Sequence, residues 1–138
     1  MQVVLDTNVL VSSLLKNNSK PSQIINAVLE GKIQLVIDER VSQEYREVLH
    51  RPKLNIPIEK ADAILNFIAN SAIWIHCNSN NLVKAEIDDH ADLPFAEVAI
   101  ASSKILVTGN LKHFRFLNKY SVQVLLPDEF LKKYPHIF

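Results

Sequence analysis

The chain has 138 residues, 48% of them hydrophobic and 22% charged, which excludes a disordered tail and leaves enough apolar side chain for one buried core. Lys plus Arg and Asp plus Glu number 15 each, so no bulk positive charge points to nucleic acid and any basic face must be local. With only 2 glycines, a Gly-rich phosphate loop and a multi-turn β architecture are both disfavoured.

In chain order, Val3–Val4–Leu5 is a short β-branched strand ended by Asp6–Thr7–Asn8. A helix follows from Val9 to Leu15, with Asn8 as its expected cap. After a loop over 16–20, Pro21 opens a second helix, in which Ile24, Ile25, Val28 and Leu29 recur at helical spacing and Gly31 marks the end. Ile33 to Ile37 is the second strand. Asp38 to His50 is an amphipathic helix with Val41, Tyr45, Val48 and Leu49 on one face, broken by Arg51–Pro52. Ile58 to Ala69 is a further helix, Ala72 to Ile75 a third strand, and Asn78–Ser79–Asn80–Asn81 the clearest loop. Asp92 to Ser103 is an Ala-rich helix, Ile105 to Val107 a fourth strand, and Gly109–Asn110 a turn. Ser121 to Leu126 is a fifth strand, and Pro127 opens a short last helix through Leu131.

Short strands that are apolar on both faces and alternate with helices indicate a parallel sheet covered on both sides, in one α/β domain over residues 1–138. No apolar run approaches the roughly 20 residues that span a bilayer. The N-terminus lacks a basic region and meets Asp6 at once, unlike a signal peptide. The single cysteine, Cys77, reads as a small buried hydrophobe and fits a reducing cytoplasm.

Open parallel sheets bind ligands beyond the carboxyl ends of their strands. Asp6 stands directly after the first strand and Asn110 just after the fourth, while Asp92 begins the helix leading into the fourth strand and Glu44 lies within the helix after the second. Three carboxylates brought together repel, and a hard divalent cation such as Mg2+ or Mn2+ relieves that repulsion. Each residue also has a plainer reading. Asp6 could cap its helix, Glu44 could be a solvated surface carboxylate, Asp92 could complement a helix dipole, and Asn110 could be an ordinary turn residue.

Four segments in order carry a resemblance: Val4 to Leu10, Glu44 to Lys53, Asp92 to Phe95 with Ala99, and Leu106 to Phe114. Together they resemble the PIN-domain ribonucleases, especially the VapC-like toxins of toxin–antitoxin systems. The resemblance implies a three-layer α/β/α sandwich around a mostly parallel five-stranded sheet, Mg2+ or Mn2+ dependence, and hydrolysis of RNA phosphodiesters. It carries Asp6, Glu44 and Asp92 as metal-binding acids, with Asn110 completing the catalytic set. Thr7, Asn8 and Thr108 would support them, Thr108 by hydrogen-bonding Asp6 or a metal-bound water. It also implies a small antitoxin partner and a homodimer.

The chain departs from the family pattern at the fourth position, where Asn110 stands in place of an acid. Asp89, one helical turn before Asp92, is a substitute acid, though a surface role is the expectation. His113 reads as a surface or packing residue beside the core anchors Phe114 and Phe116. A receiver-type phospho-acceptor needs an acid after the third strand, where His76–Cys77–Asn78 stands, and an aspartyl phosphatase needs a second acid at position 8, which is Asn8. The remaining alternative is a catalytically weak RNA- or partner-binding domain on the same fold.

Overall fold

The computed structural model describes residues 1–78 and 81–138, with backbone alone at 81 and 82. Five strands form one sheet in the order β3–β2–β1–β4–β5, and every neighbouring pair is parallel. They are β1 (Gln2–Leu5), β2 (Gln34–Ile37), β3 (Ile73–Trp74), β4 (Ile105–Val107) and β5 (Gln123–Leu125). The three central strands carry Val3, Val4, Leu5, Leu35, Val36, Ile37, Leu106 and Val107, each 2% exposed or less, because helices cover both faces of the sheet in an α/β sandwich.

The helices are α1 (Thr7–Leu15), α2 (Lys20–Leu29), α3 (Glu39–Leu49), α4 (Ile58–Ser71), α5 (Asn81–Glu86), α6 (Leu93–Ala101), α7 (Leu111–Phe114) and α8 (Pro127–Lys133). Their ends follow local chemistry. Ser19 Oγ caps α2 by accepting from Ser22 N at 3.2 Å, and Asp38 Oδ1 caps α3 by accepting from Val41 N at 2.9 Å. After α2 the chain turns through Gly31 at φ 79°, a conformation open to glycine.

Most differences from the sequence reading are at boundaries. α1 begins two residues early, at Thr7, so Asp6 and not Asn8 occupies the N-cap position. α6 ends at Ala101, two residues before the expected Ser103, and Lys104 turns the chain into β4 at φ 61°. Asn81, expected in a loop, begins α5, while Ser79 and Asn80 of that loop lie outside the described residues. The stretch between β4 and β5 is also structured. It forms α7 and a 3-10 turn over Arg115–Tyr120, pinned by the fully buried Phe114 and Leu117.

The strand order reverses direction between β1 and β4. In a doubly wound sheet that is the switch point, where the loops leaving adjacent strands run to opposite faces and open a crevice. Asp6 and Thr108 are the first residues past the two strands. The Asp6 N–H donates to Val107 O at 2.9 Å, so the ladder extends to the edge of the crevice.

Candidate active site

Asp6 is 7% exposed. It stands at the N-cap of α1, yet its side chain makes no capping bond. Instead its Oδ2 accepts from the Thr108 hydroxyl at 2.6 Å, across the switch point, and the Thr7 backbone N–H supports the carboxylate as well. Burial is the largest influence on this group. Together with the nearby Asp92 charge it outweighs the two hydrogen bonds and pushes the carboxyl up to about 6. No basic side chain forms an ion pair with Asp6 among the described residues. A buried acid aimed away from its own helix is held for something other than capping.

A cleft of about 470 Å3 brings Asp6 together with Glu44, Asp89, Asp92, Asn110 and His113. Glu44 is half-buried on α3, one residue before the buried Tyr45. Burial and the Glu47 charge raise its carboxyl, Arg51 opposes them, and Asp89 and Asp92 add to the rise. Asp92 occupies the N-cap position of α6. It too is raised, chiefly by burial, with His113 opposing and Asp89 adding. The mutual influence of Asp6, Glu44, Asp89 and Asp92 is the electrostatic mark of acids crowded on one crevice.

The remaining expected residues divide in two. Thr108, fully buried, holds Asp6. Asn8 accepts from the Gly109 N–H at 3.4 Å and so ties α1 to the loop after β4. Thr7 contributes through its backbone, because its buried hydroxyl has no hydrogen-bond partner. Asn110 lies in the cleft with its side chain turned to His113, Nδ2 to Nε2 at 3.0 Å.

His113 is a surface residue, as the sequence allowed, and its ring lies beside that of Phe114 with centroids 6.5 Å apart. Its Nδ1 reaches Asp92 Oδ2 at 2.9 Å, which places it inside the acidic cleft. Asp89 is exposed, accepts from Ala91 N at 3.0 Å as the cap of the turn at His90–Asp92, and lines the same cleft.

Two buried arrangements place the acidic helices. The Tyr45 hydroxyl donates to Leu5 O and fastens α3 against the end of β1. Arg40 of α3 bridges Asp38 Oδ2 and the buried Glu97 Oε1 of α6, both at 2.7 Å. α3 carries Glu44 and α6 is headed by Asp92, so this triad sets the distance between two of the three acids. Neither arrangement was read from the sequence, where Tyr45 is one member of an apolar face.

The donor set is carboxylate oxygen, the chemistry that hard divalent cations prefer, and a buried uncompensated Asp6 suits a cation. The acids do not yet converge on a point: among the described residues no three acidic, His or Cys side chains lie close enough to hold an ion between them. Asp92 is engaged by His113, and the uncompensated carboxylates repel. A larger hollow of about 710 Å3 lies between α1, α2 and α4, but no carboxylate lines it, so it offers no such chemistry.

The family model of the PIN domain matches residues 2–112. This chain belongs to the PIN domain family. The match includes Asp6, Glu44, Asp92 and Asn110, and His113 lies one residue beyond it. An uncharacterised protein of Methanocaldococcus jannaschii is 29% identical, with 97% of this chain and 92% of that protein covered. Two solved structures share the PIN fold at 20% identity. VapBC2 from Rickettsia felis, bound to a DNA fragment from its promoter, gives a TM-score of 0.64 over 91% of this chain and 98% of its own. FitAB bound to the IR36 DNA fragment gives 0.59 over 92% and 95%. No helix among the described residues is long and apolar enough to cross a membrane.

Proposed function

We propose that this PIN domain, acting as one unit over residues 1–138, is an Mg2+- or Mn2+-dependent endoribonuclease and the toxin component of a toxin–antitoxin pair. The observation that carries the reading is Asp6: a buried carboxyl held up to about 6, without an ion pair among the described residues, at the switch point of the sheet and facing the same cleft as Glu44 and Asp92. PIN domains are generally nucleases that use divalent metal, and the donor chemistry here agrees with that.

Asp6, Glu44 and Asp92 would hold the ion. When bound, it supplies Lewis acidity toward a phosphodiester oxygen and acidifies water for attack at neutral pH. The chain's own residues do the rest. Thr108 keeps Asp6 turned away from its helix, and the Arg40 triad fixes Glu44 relative to Asp92. Of the basic side chains in the segment after α3, Arg51 and Lys53 line the cleft and are placed to meet RNA phosphates on either side of the cut.

In the same reading, the partner is a small antitoxin that blocks the acidic cleft, and an arginine suits that role because its guanidinium pairs bidentately with carboxylates. VapBC2 and FitAB support a partner of this kind. A homodimer and a cytoplasmic location complete the proposal.

A second reading, a PIN domain that binds RNA or a partner with little cleavage, draws on the acids' lack of convergence. One experiment separates the two. The wild-type protein and the variants Asp6→Asn and Asp92→Asn are incubated with a mixed RNA pool, in Mn2+ or in chelator. The enzyme reading expects cleavage by wild type in Mn2+ alone. Cleavage that persists in chelator, or in both variants, sinks it; RNA binding without cleavage by wild type in Mn2+ establishes the second.

A further inference from the structure

Asn110 stands where an acid would give the site a fourth carboxylate, and within the cleft its side chain turns to His113. Two hydrogen-bond chains leave this residue, and each ends on a carboxylate of the cleft. Through its backbone, the Asn110 N–H donates to Thr108 Oγ1 at 3.1 Å, and that hydroxyl spends its only proton on Asp6 Oδ2 at 2.6 Å. Through its side chain, Asn110 Nδ2 meets His113 Nε2 at 3.0 Å, and His113 Nδ1 meets Asp92 Oδ2 at 2.9 Å.

The second chain has one consistent proton arrangement for a neutral imidazole. A carboxylate only accepts, so Nδ1 carries the hydrogen; an amide nitrogen only donates, so Nε2 is bare. Each contact then joins a donor to an acceptor. We infer that Asn110 and His113 form a positioning relay for Asp92, in which the amide of Asn110 locks the Nδ1–H tautomer of His113 and the imidazole orients the carboxylate. This rests on the metal-dependent reading above, because an oriented Asp92 matters through the cation it would hold. The imidazole engages Oδ2, and Asp92 would hold the ion in the orientation this contact gives it.

The relay gives position 110 a role that an acid cannot fill. An aspartate there has no proton to donate to Nε2, so it loses the tautomer lock and returns a fourth negative charge to a crowded cleft. It also explains why His113 is placed by α7, a helix of four residues anchored by the buried Phe114. Orienting partners of this kind typically contribute about 10- to 100-fold to metal affinity.

The test uses the full chain and Mn2+ itself, with affinity measured by calorimetry for wild type, His113→Ala, His113→Asn, Asn110→Ala and the double variant His113→Ala/Asn110→Ala. His113 is exposed, so these variants leave the core intact, which melting curves verify. His113→Ala should weaken Mn2+ binding about 10-fold or more. His113→Asn, whose amide nitrogen falls near the Nδ1 position, should recover most of the loss. The double variant should be no weaker than His113→Ala, since Asn110 acts through the imidazole. Unchanged affinity in His113→Ala, or a further loss on adding Asn110→Ala, overturns the relay.

The 15N spectrum of the imidazole in metal-free protein stands apart from the metal. The Nδ1–H tautomer should dominate in wild type and give way to mixed tautomers in Asn110→Ala and Asn110→Asp; a predominantly Nε2–H imidazole in wild type overturns the relay. If wild type binds no Mn2+, the proposed function fails, and the spectrum alone decides the relay.

Discussion

Replacing Asp6 with asparagine should make the metal-free protein more stable at neutral pH. The Asp6 carboxyl titrates near 3.8 when free and is pushed up to about 6 in the folded chain, chiefly by burial. Those roughly two pH units correspond to about 3 kcal/mol by which ionised Asp6 opposes folding. Asparagine keeps the shape and can still accept the Thr108 hydroxyl, but its amide N–H2 needs an acceptor, which offsets about 1 kcal/mol. The net gain is about 2 kcal/mol, or roughly 8 °C in Tm for a chain of this length. The pH profile carries the sign. Because the folded-state pKa lies above the unfolded one, the folded protein holds more protons between about pH 4 and 6. Wild-type stability therefore falls as pH rises through that window and levels off above it. The assay is thermal melting in chelator at pH 4, 5, 6 and 8, with the difference between wild type and Asp6→Asn isolating this group from Glu44 and Asp92. At pH 4 the variant should be as stable as wild type or slightly less so, and the difference should swing in its favour by pH 6 and stay nearly constant to pH 8. Saturating Mn2+ should then close it by stabilising wild type alone. A variant less stable than wild type at pH 8 in chelator, or a gap independent of pH, refutes the reasoning.

Other perturbations probe the supports of the cleft. Thr108→Val removes the bond to Asp6 from a fully buried position; at pH 8 it should lose about 2 kcal/mol by denaturant titration, and less at pH 4, where Asp6 carries its own proton. Arg40→Ala removes the cation shared by Asp38 and Glu97; allowing for the partial exposure of Arg40, unfolding free energy should drop by about 2 kcal/mol, and Mn2+ affinity should fall because α3 and α6 lose this tie. Tyr45→Phe removes the bond to Leu5 O and should lower stability by about 1 kcal/mol with cleavage largely retained. Arg51→Gln and Lys53→Gln, each made in an Asp6→Asn background that binds RNA without cutting it, should reduce the salt slope of RNA affinity by about 0.7 apiece; slopes equal to that of the parent would remove both residues from the RNA path.

The fold was legible where burial dictates composition. Val3–Leu5, Leu35–Ile37 and Ile105–Val107 are apolar on both faces because helices cover both faces of the sheet, and that pattern identifies central parallel strands without any pairing information. α5 and α7 were missed for a physical reason. Helices of 6 and 4 residues have too few turns to form alone, and tertiary packing of residues such as Phe114 holds them in place. The start of α1 shifted by two residues because both Asp6 and Asn8 are good caps by type. Asp6 holds the N-cap position without a capping bond, because its side chain is taken by Thr108 at the end of the neighbouring strand, 102 residues away.

The cleft shows the same division between local and long-range information. Asp6 and Asn110 were found from strand ends, a rule that needs only the order of elements. Glu44 and Asp92 sit on helices and were placed by resemblance to the PIN family alone, since their approach depends on the Arg40 triad and Tyr45, contacts spanning 57 and 40 residues. His113 was read as a surface or packing residue, and its exposure agrees, but its contact with Asp92 was not foreseen. Successive residues on a helix point about 100° apart, so a buried Phe114 implies that His113 faces elsewhere. The usable signal was the separation of three residues from Asn110, one helical turn, which lets an amide and an imidazole meet. Position 110 then acquires a different meaning. With Asp6 already pushed up to about 6 by burial and by Asp92, a fourth carboxylate would add to the repulsion among the acids of the cleft. A neutral amide that orients Asp92 through His113 adds order to the cleft without adding charge.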